Sequence, residues 1–207
     1  MNGTIKLLPF FNFDLNLDLD GLNFNKFYNF IIKADKKSVE NFFNINNKIN
    51  GQINISTEKI YSKYNLFRSF ESKIKFFNSS IFIERLLVDL EKFGAADLTG
   101  KINRKKKITN FQYETNIFVD KKKRFLRKFS IYNKDTPLTN LYVSGSFDLT
   151  NLVMRFYEMS NEQKFKDEDV SYIEKEFNDL ILENGYKTLF NFNNLKDFMK
   201  ILLNEKN

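Results

Sequence analysis

The chain has no cysteine, no histidine and no tryptophan, and only two prolines and seven glycines in 207 residues. Without Cys and His there is no ligand set for a zinc finger or an iron–sulfur centre, no disulfide scaffold and no thiol nucleophile. A Ser-His-Asp or Cys-His arrangement cannot be assembled, and the commonest general base is absent. The residues left for chemistry are carboxylates, Lys, Tyr, Ser and Thr. A cysteine-free chain fits an oxidising compartment. No run of 18 or more apolar residues occurs, so no segment reads as a membrane-spanning helix. The opening MNGTIKLLPFFNFDLN, broken by Pro9, does not read as a signal peptide.

Asn, Lys, Ile and Phe are abundant: 28 Asn, 27 Lys and 25 Phe against six Arg. Codons for these residues are AT-rich, so the composition reads as that of a low-GC genome. The net charge of +7 therefore partly reflects Lys standing where Arg might stand. Arg is the residue of bidentate base and phosphate contacts, and it is scarce here. Hydrophobic residues at 42% and charged residues at 29% give a globular balance rather than a disordered one. A chain this long buries roughly 70% of its unfolded surface and needs no covalent staple.

The strongest pattern is FNFDLNLDLD. Phe11, Phe13, Leu15, Leu17 and Leu19 alternate with Asn12, Asp14, Asn16, Asp18 and Asp20. Period two over ten residues predicts a strand with one apolar and one acidic face, ended by Gly21. The acids read as a solvated face, since no loop wraps an ion around them. Ser38 fits the N-cap of a short helix over Val39–Asn44. Further strands are predicted at 51–57, 58–67, 70–77, 81–90, 93–102, 108–120 and 141–150. Gly145 in the last suggests a bulge or bend. Thr109, Phe111, Tyr113, Thr115, Ile117 and Val119 fall on one side of their strand. Basic stretches lie at 103–107 and 121–128. Beyond residue 150 the period changes. Val170, Ile173, Phe177, Leu180 and Ile181 predict a helix over 167–184 with Gly185 as its stop, and Leu195, Phe198, Met199 and Leu202 predict another over 193–204. The expected architecture is mainly β: a curved antiparallel sheet over 1–150, forming an open, taco-like groove, followed by a helical tail over 151–207. An antiparallel meander with one apolar face must be covered by a second sheet, close into a barrel, or stay open and be filled by something else. The ordinary packed core remains an alternative, and interruption of the strands by charge disfavours a membrane barrel.

The order GQINIST, YSKYNLFRSFESKIKF, IFIERLLVDLEKFGAADLTGKI and LYVSGSFDLT resembles the C-terminal region of AsmA-like proteins of AT-rich bacteria. The strands at 51–55 and 94–100 carry most of the likeness, which runs from Phe11 to Thr150. Where that family has a hairpin glycine, Ser79 and Ser80 stand here. The resemblance implies a periplasmic protein tied to the inner membrane by an N-terminal anchor that this sequence lacks. It implies an apolar β-groove that guides phospholipid toward the outer membrane, without enzymatic chemistry and without a cofactor. On that pattern Phe13, Leu15, Leu17, Ile53, Ile55, Ile74, Phe76, Ile81 and Ile83 are groove-lining candidates. Lys105, Lys106, Lys107, Lys121, Lys122, Lys123 and Arg124 are candidates for a basic headgroup rim. The C-terminal helices, with Phe190 and Phe192 between them, are candidates for docking an envelope partner.

Two other readings stay in view. A structural or assembly module cannot be separated from the groove by sequence. A single-stranded nucleic-acid surface requires both basic clusters at one end of the sheet, with Phe125 and Phe129 interleaved for stacking. It is the least favoured partner. The acid pairs Glu84 with Asp89 and Asp167 with Asp169 have no companion base, so catalysis is not expected.

Overall fold

The computed structural model describes residues 2–7, 10–26, 29, 41, 43–62, 66–132, 138–185 and 191–204. Of the helix expected at 39–44, residues 39, 40 and 42 lie outside them, as does Phe190. The protein is mainly β, with one large sheet that does not close into a barrel and helices toward its C-terminus. The strands are β1 (Asn2–Lys6), β2 (Phe11–Leu19), β3 (Leu22–Asn23), β4 (Ile49–Thr57), β5 (Ile60–Tyr61), β6 (Ser69–Phe77), β7 (Ser80–Asp89), β8 (Gly94–Lys105), β9 (Ile108–Val119), β10 (Asn140–Asp148), β11 (Val153–Asn161) and β12 (Gln163–Lys164). The helices are α1 (Lys122–Lys128), α2 (Asp167–Asn184) and α3 (Phe192–Asn204). The sheet runs β1-β2-β4-β6-β7-β8-β9-β10-β11-β12, and β3 and β5 form a small separate pair.

Of the strand expected at 58–67 only β5 forms among the described residues, outside the large sheet, and two features of the large sheet also depart from the sequence expectation. The sheet is mixed rather than wholly antiparallel, because β2 and β4 run parallel in register from Phe11↔Ile49 to Leu19↔Thr57. Their wet faces interlock. Gln52 donates to Asp14 (3.0 Å), Asn54 to Asn16 (2.8 Å) and Ser56 to Asp18. The acids of β2 thus pair with side chains 38 positions away, which fixes the parallel register. Cross-strand pairs of this kind contribute about 0.2–1 kcal/mol each. Second, the sheet does not end near residue 150: β11 pairs with β10 from Leu141↔Asn161 to Asp148↔Val153. A boundary at 150 would cut that hairpin, so strands and helices do not divide there.

The missed strand has a physical explanation. In VMRFYEMSN the apolar side chains Met154 and Phe156 fall on even positions, and buried Met159 on an odd one. A regular strand would send one set to the wrong face. The register shift at Ser144/Gly145 restores the phase by leaving Tyr157 as the extra residue, whose hydroxyl donates to Ser146 Oγ at 2.7 Å. The same slip occurs in IFIERLLVDL, between Ile83 and Leu86, where Glu84 is the extra residue. A bulge absorbs one residue and adds local twist.

α2 matches the predicted span, and Gly185 ends it at φ 62°, its N–H donating to the Ile181 carbonyl at 2.7 Å. The second basic stretch is helical: Phe125, Leu126 and Phe129 turn inward, and Lys123, Arg124 and Arg127 turn out. The core gathers at the β9–β11 end. There Met159, Ile173 and Ile181 are fully buried, and Phe156, Phe177 and Phe198 pack ring against ring.

α2 also seals the edge of β11. Asn178 Oδ1 accepts the Met154 N–H at 2.7 Å, and Asn178 Nδ2 donates to the Met154 carbonyl at 2.9 Å. One helical turn earlier, Glu174 accepts the Phe156 N–H at 2.8 Å. Residues four apart on the helix thus match residues two apart on the strand. The opposite edge, β1, is exposed at all five residues. Asn178→Ala leaves two edge groups of Met154 unmatched and is expected to cost about 1–3 kcal/mol. A urea midpoint shifted by that amount at unchanged m-value checks this; a shift near zero would mean that water replaces the side chain at no cost.

Candidate functional site

Strand register decides which side chains share a face. One row crosses nine strands: Ile5, Phe13, Gly51, Phe76, Ile81, Ile102, Phe111, Phe147 and Met154. The next runs Leu15, Ile53, Ile74, Ile83, Gly100, Tyr113, Gly145 and Phe156. Leu17 and Ile55 begin a third. All nine groove candidates therefore lie on one face, together with the packed residues of β10 and β11. The two bulges keep this face apolar along β7 and β11.

The rows contain glycines where the face is most crowded. Phe13 lies over Gly51, so a Cβ at Gly51 would meet the Phe13 ring at 2.7 Å and its carbonyl oxygen at 2.3 Å. Phe111 covers Gly100 in the same way, its ring 2.6 Å from such a Cβ. Phe13 also contacts Phe76, with ring centroids 5.5 Å apart. These aromatic lids spread one large ring over two strands, which smooths the apolar face.

Burial along that face is graded. At the β10–β11 end Leu141, Phe147 and Met159 are buried in the core cluster shared with α2 and α3. At the β2–β7 end Leu15, Leu17, Ile53, Ile55, Ile74, Phe76 and Ile83 are only half-buried. Phe13 and Ile81 are buried, at 8% and 7% exposure. Among the described residues, α2 packs on β11 and α3 on α2, away from β2, β4 and β6. Among the described residues the face is thus covered by helices at one end and only half-buried at the other.

The opposite, polar face carries ion pairs. Lys73 Nζ lies 2.8 Å and Lys75 Nζ 4.0 Å from the Glu84 carboxylate, and Arg85 pairs with Glu71 at 2.9 Å. With Asn16, Asp18, Asn54 and Ser56, several of these side chains line an open depression of about 400 Å³. Asp89 accepts the Glu91 N–H at 2.6 Å and lies 3.8 Å from Arg68. Glu84 and Asp89 are each engaged with separate partners. Asp167 and Asp169 occupy the first turn of α2, where negative charge complements the helix dipole. Among the described residues no three acidic side chains converge as a metal ligand set. Tyr113, on the apolar face, is pushed well above the usual tyrosine range, chiefly by burial and further by the nearby Glu174 and Tyr157. Its hydroxyl lies 3.2 Å from the Met154 sulfur.

The two basic clusters do not form one patch. Lys105, Lys106 and Lys107 sit at the β8–β9 turn, and Lys121, Lys122, Lys123 and Arg124 follow the far end of β9. A 12-residue strand separates them, about 40 Å at the antiparallel rise. The continuous basic surface on which the nucleic-acid reading depended is not built. Sequence reasoning also missed Glu174 and Asn178. Their signal was a pair of polar residues at helical spacing beside the apolar stripe of Ile173, Phe177 and Ile181.

Comparison with protein-family models, with curated proteins and with solved structures returns no match. No helix of the described residues is long and apolar enough to cross a membrane.

Hydrogen bonding from Lys73 holds the Glu84 carboxyl below the usual value of 4.5, outweighing the slight desolvation that acts the other way; Lys73 and Lys75 add direct charge attraction. A depressed folded-state pKa contributes stability that is complete at neutral pH and is lost as pH falls below 4.5. Glu84→Gln should therefore lower stability by less than about 1 kcal/mol at pH 7, as expected for an exposed pair, and by progressively less as the pH falls below 4.5. Thermal melts of both proteins across that range check the convergence.

Proposed function

We propose that the protein is a non-enzymatic lipid-handling module that holds phospholipid acyl chains against the open part of its apolar face. The observation that carries this reading is the shared face of the nine groove candidates, half-buried at the β2–β7 end while the same face is closed by helices at the β10–β11 end. A contiguous apolar surface left to water is unfavourable by about 25 cal/mol per Å², and large apolar patches mark sites of interaction. Acyl chains suit this surface because its open end offers rows of Leu, Ile and Phe side chains. The resemblance to the C-terminal region of AsmA-like proteins supports the same reading. It adds the periplasm as the compartment, the cell envelope and outer-membrane lipid supply as the context, and association with the inner membrane. An envelope-assembly role is the second reading, favoured by the exposed edge of β1, which can accept a further strand. A single nucleic-acid surface is set aside by the separation of the basic clusters.

Native mass spectrometry of the purified chain, followed by organic extraction, tests the reading. Co-purifying phospholipid is expected, and its loss in Leu17→Asp and Ile55→Asp proteins of unchanged circular dichroism. A ligand-free mass for the unmodified chain, with no uptake from added phospholipid, would overturn it.

A further inference from the structure

The two ends of the sheet differ in chemistry. β1–β2, β6–β7, β8–β9 and β10–β11 all turn at the same end. Every one of these turns exposes a large apolar side chain: Leu7 and Phe10 at 70% and 52%, Phe77 at 55%, Ile108 at 49% and Val153 at 39%. Phe77, Ile108 and Val153 stand on the polar face at successive hairpins; three strands, about 14 Å, separate Phe77 from Ile108, and two strands, about 10 Å, separate Ile108 from Val153. The β6–β7 and β8–β9 turns are two residues long, with Asn78, Ser79 and Lys106 at positive φ. Such tight tips leave little backbone between these side chains and whatever meets the sheet end.

Cations are interleaved with them. Lys6, Lys48, Lys105, Lys106 and Lys107 surround the tips, and none is in an ion pair among the described residues. Within the four turns Asp148 is the one carboxylate. Its oxygens already accept from the Thr150 and Asn151 N–H groups and the Asn151 side chain. The far end is mixed: Asp18, Asp20, Asp89, Glu91 and Asp120 stand at the same strand ends as Lys121–Arg124.

We infer that the hairpin end is a docking edge for an anionic lipid bilayer, with the tip side chains entering the headgroup–acyl boundary and the lysines meeting lipid phosphates. Charge of one sign selects the anionic surface, and apolar side chains beside it select a membrane. Leu7, Ile108 and Val153 are aliphatic and cannot serve as stacking platforms for bases, which disfavours a nucleic acid. Of the two basic clusters, this assigns Lys105–Lys107 to lipid headgroups and leaves Lys121–Arg124 out. The apolar face runs to this same end at Phe13, Phe76 and Ile81, so a docked sheet would present that face directly to the bilayer. The docking itself does not require acyl chains on the face.

The absence of tryptophan makes a direct test available. Full-length protein carrying Phe77→Trp is titrated with vesicles of phosphatidylcholine containing phosphatidylglycerol. A blue-shifted emission that salt reverses is expected, with no shift on phosphatidylcholine alone. Adding Lys105→Glu, Lys106→Glu and Lys107→Glu should weaken binding at least roughly tenfold. Lys121→Glu, Lys122→Glu and Lys123→Glu should leave it within about twofold, and Phe118→Trp, at the far end, should stay unshifted. All the substituted positions are exposed or partly exposed, and circular dichroism checks the fold. No vesicle-dependent shift, an equal loss from both lysine sets, or binding to a single-stranded oligonucleotide in place of vesicles would overturn the inference. Leu17→Asp and Ile55→Asp proteins should still bind vesicles, so failure of docking and failure of acyl-chain retention are read separately.

Discussion

Everything in this fold depends on parity: each strand must deliver its apolar residues to the same side of one very wide sheet. A slip of one residue in any strand would turn its apolar set to the wrong face. Two strands whose sequence loses the alternation are brought back by bulges at Glu84 and Tyr157. In both cases the extra residue is polar and finds a partner on the wet face, Lys73 for Glu84 and Ser146 for Tyr157. The bulges thus conserve the apolar face and give polar residues a place within otherwise continuous strands.

The sheet's two edges are handled differently. Unpaired edge groups invite association, and proteins normally cover or blunt them. At β11 the cover is chemical: Asn178 and Glu174 from α2 reproduce the hydrogen bonds that a further strand would make. The helix thereby does two jobs, since Ile173, Phe177 and Ile181 close the apolar face beside it. No comparable device stands over β1 among the described residues. The fold is consequently polarised along the strand order, finished at β11 and unfinished at β1. It is polarised along the strands too, with an excess of cations at the hairpin end and mixed charge at the other.

Much of this was legible in the residues. The alternation in FNFDLNLDLD placed β2, the 3.6-residue period placed α2 with its Gly185 stop, and the glycine in LYVSGSFDLT marked a real irregularity. The nine groove candidates, which the resemblance implied, share a face because each sits at an alternating apolar position and period two is a property of each strand taken singly. What was not legible concerns relations between strands. The parallel pairing of β2 with β4 joins residues 38 apart, and nothing local announces it; Asp14 and Asp18 looked merely solvated because their partners lie on another element. β11 escaped because one bulge broke its alternation. The placement of the basic clusters at opposite strand ends follows from strand length and topology, which charge counting does not contain.

The parallel join also separates the sheet in time. β6 through β9 are consecutive hairpins whose contacts are local, and β10–β11 forms another. β1–β2 is a hairpin as well, but it attaches only through β4, across a long stretch of chain. Closing that loop costs entropy before its contacts are gained. The meander is therefore set to form first, with the β1–β2 hairpin added last and released first as a cooperative unit. The last-docked piece carries Phe13, Leu15 and Leu17, so the open end of the apolar face is also the part of the molecule whose backbone amides should exchange with solvent soonest.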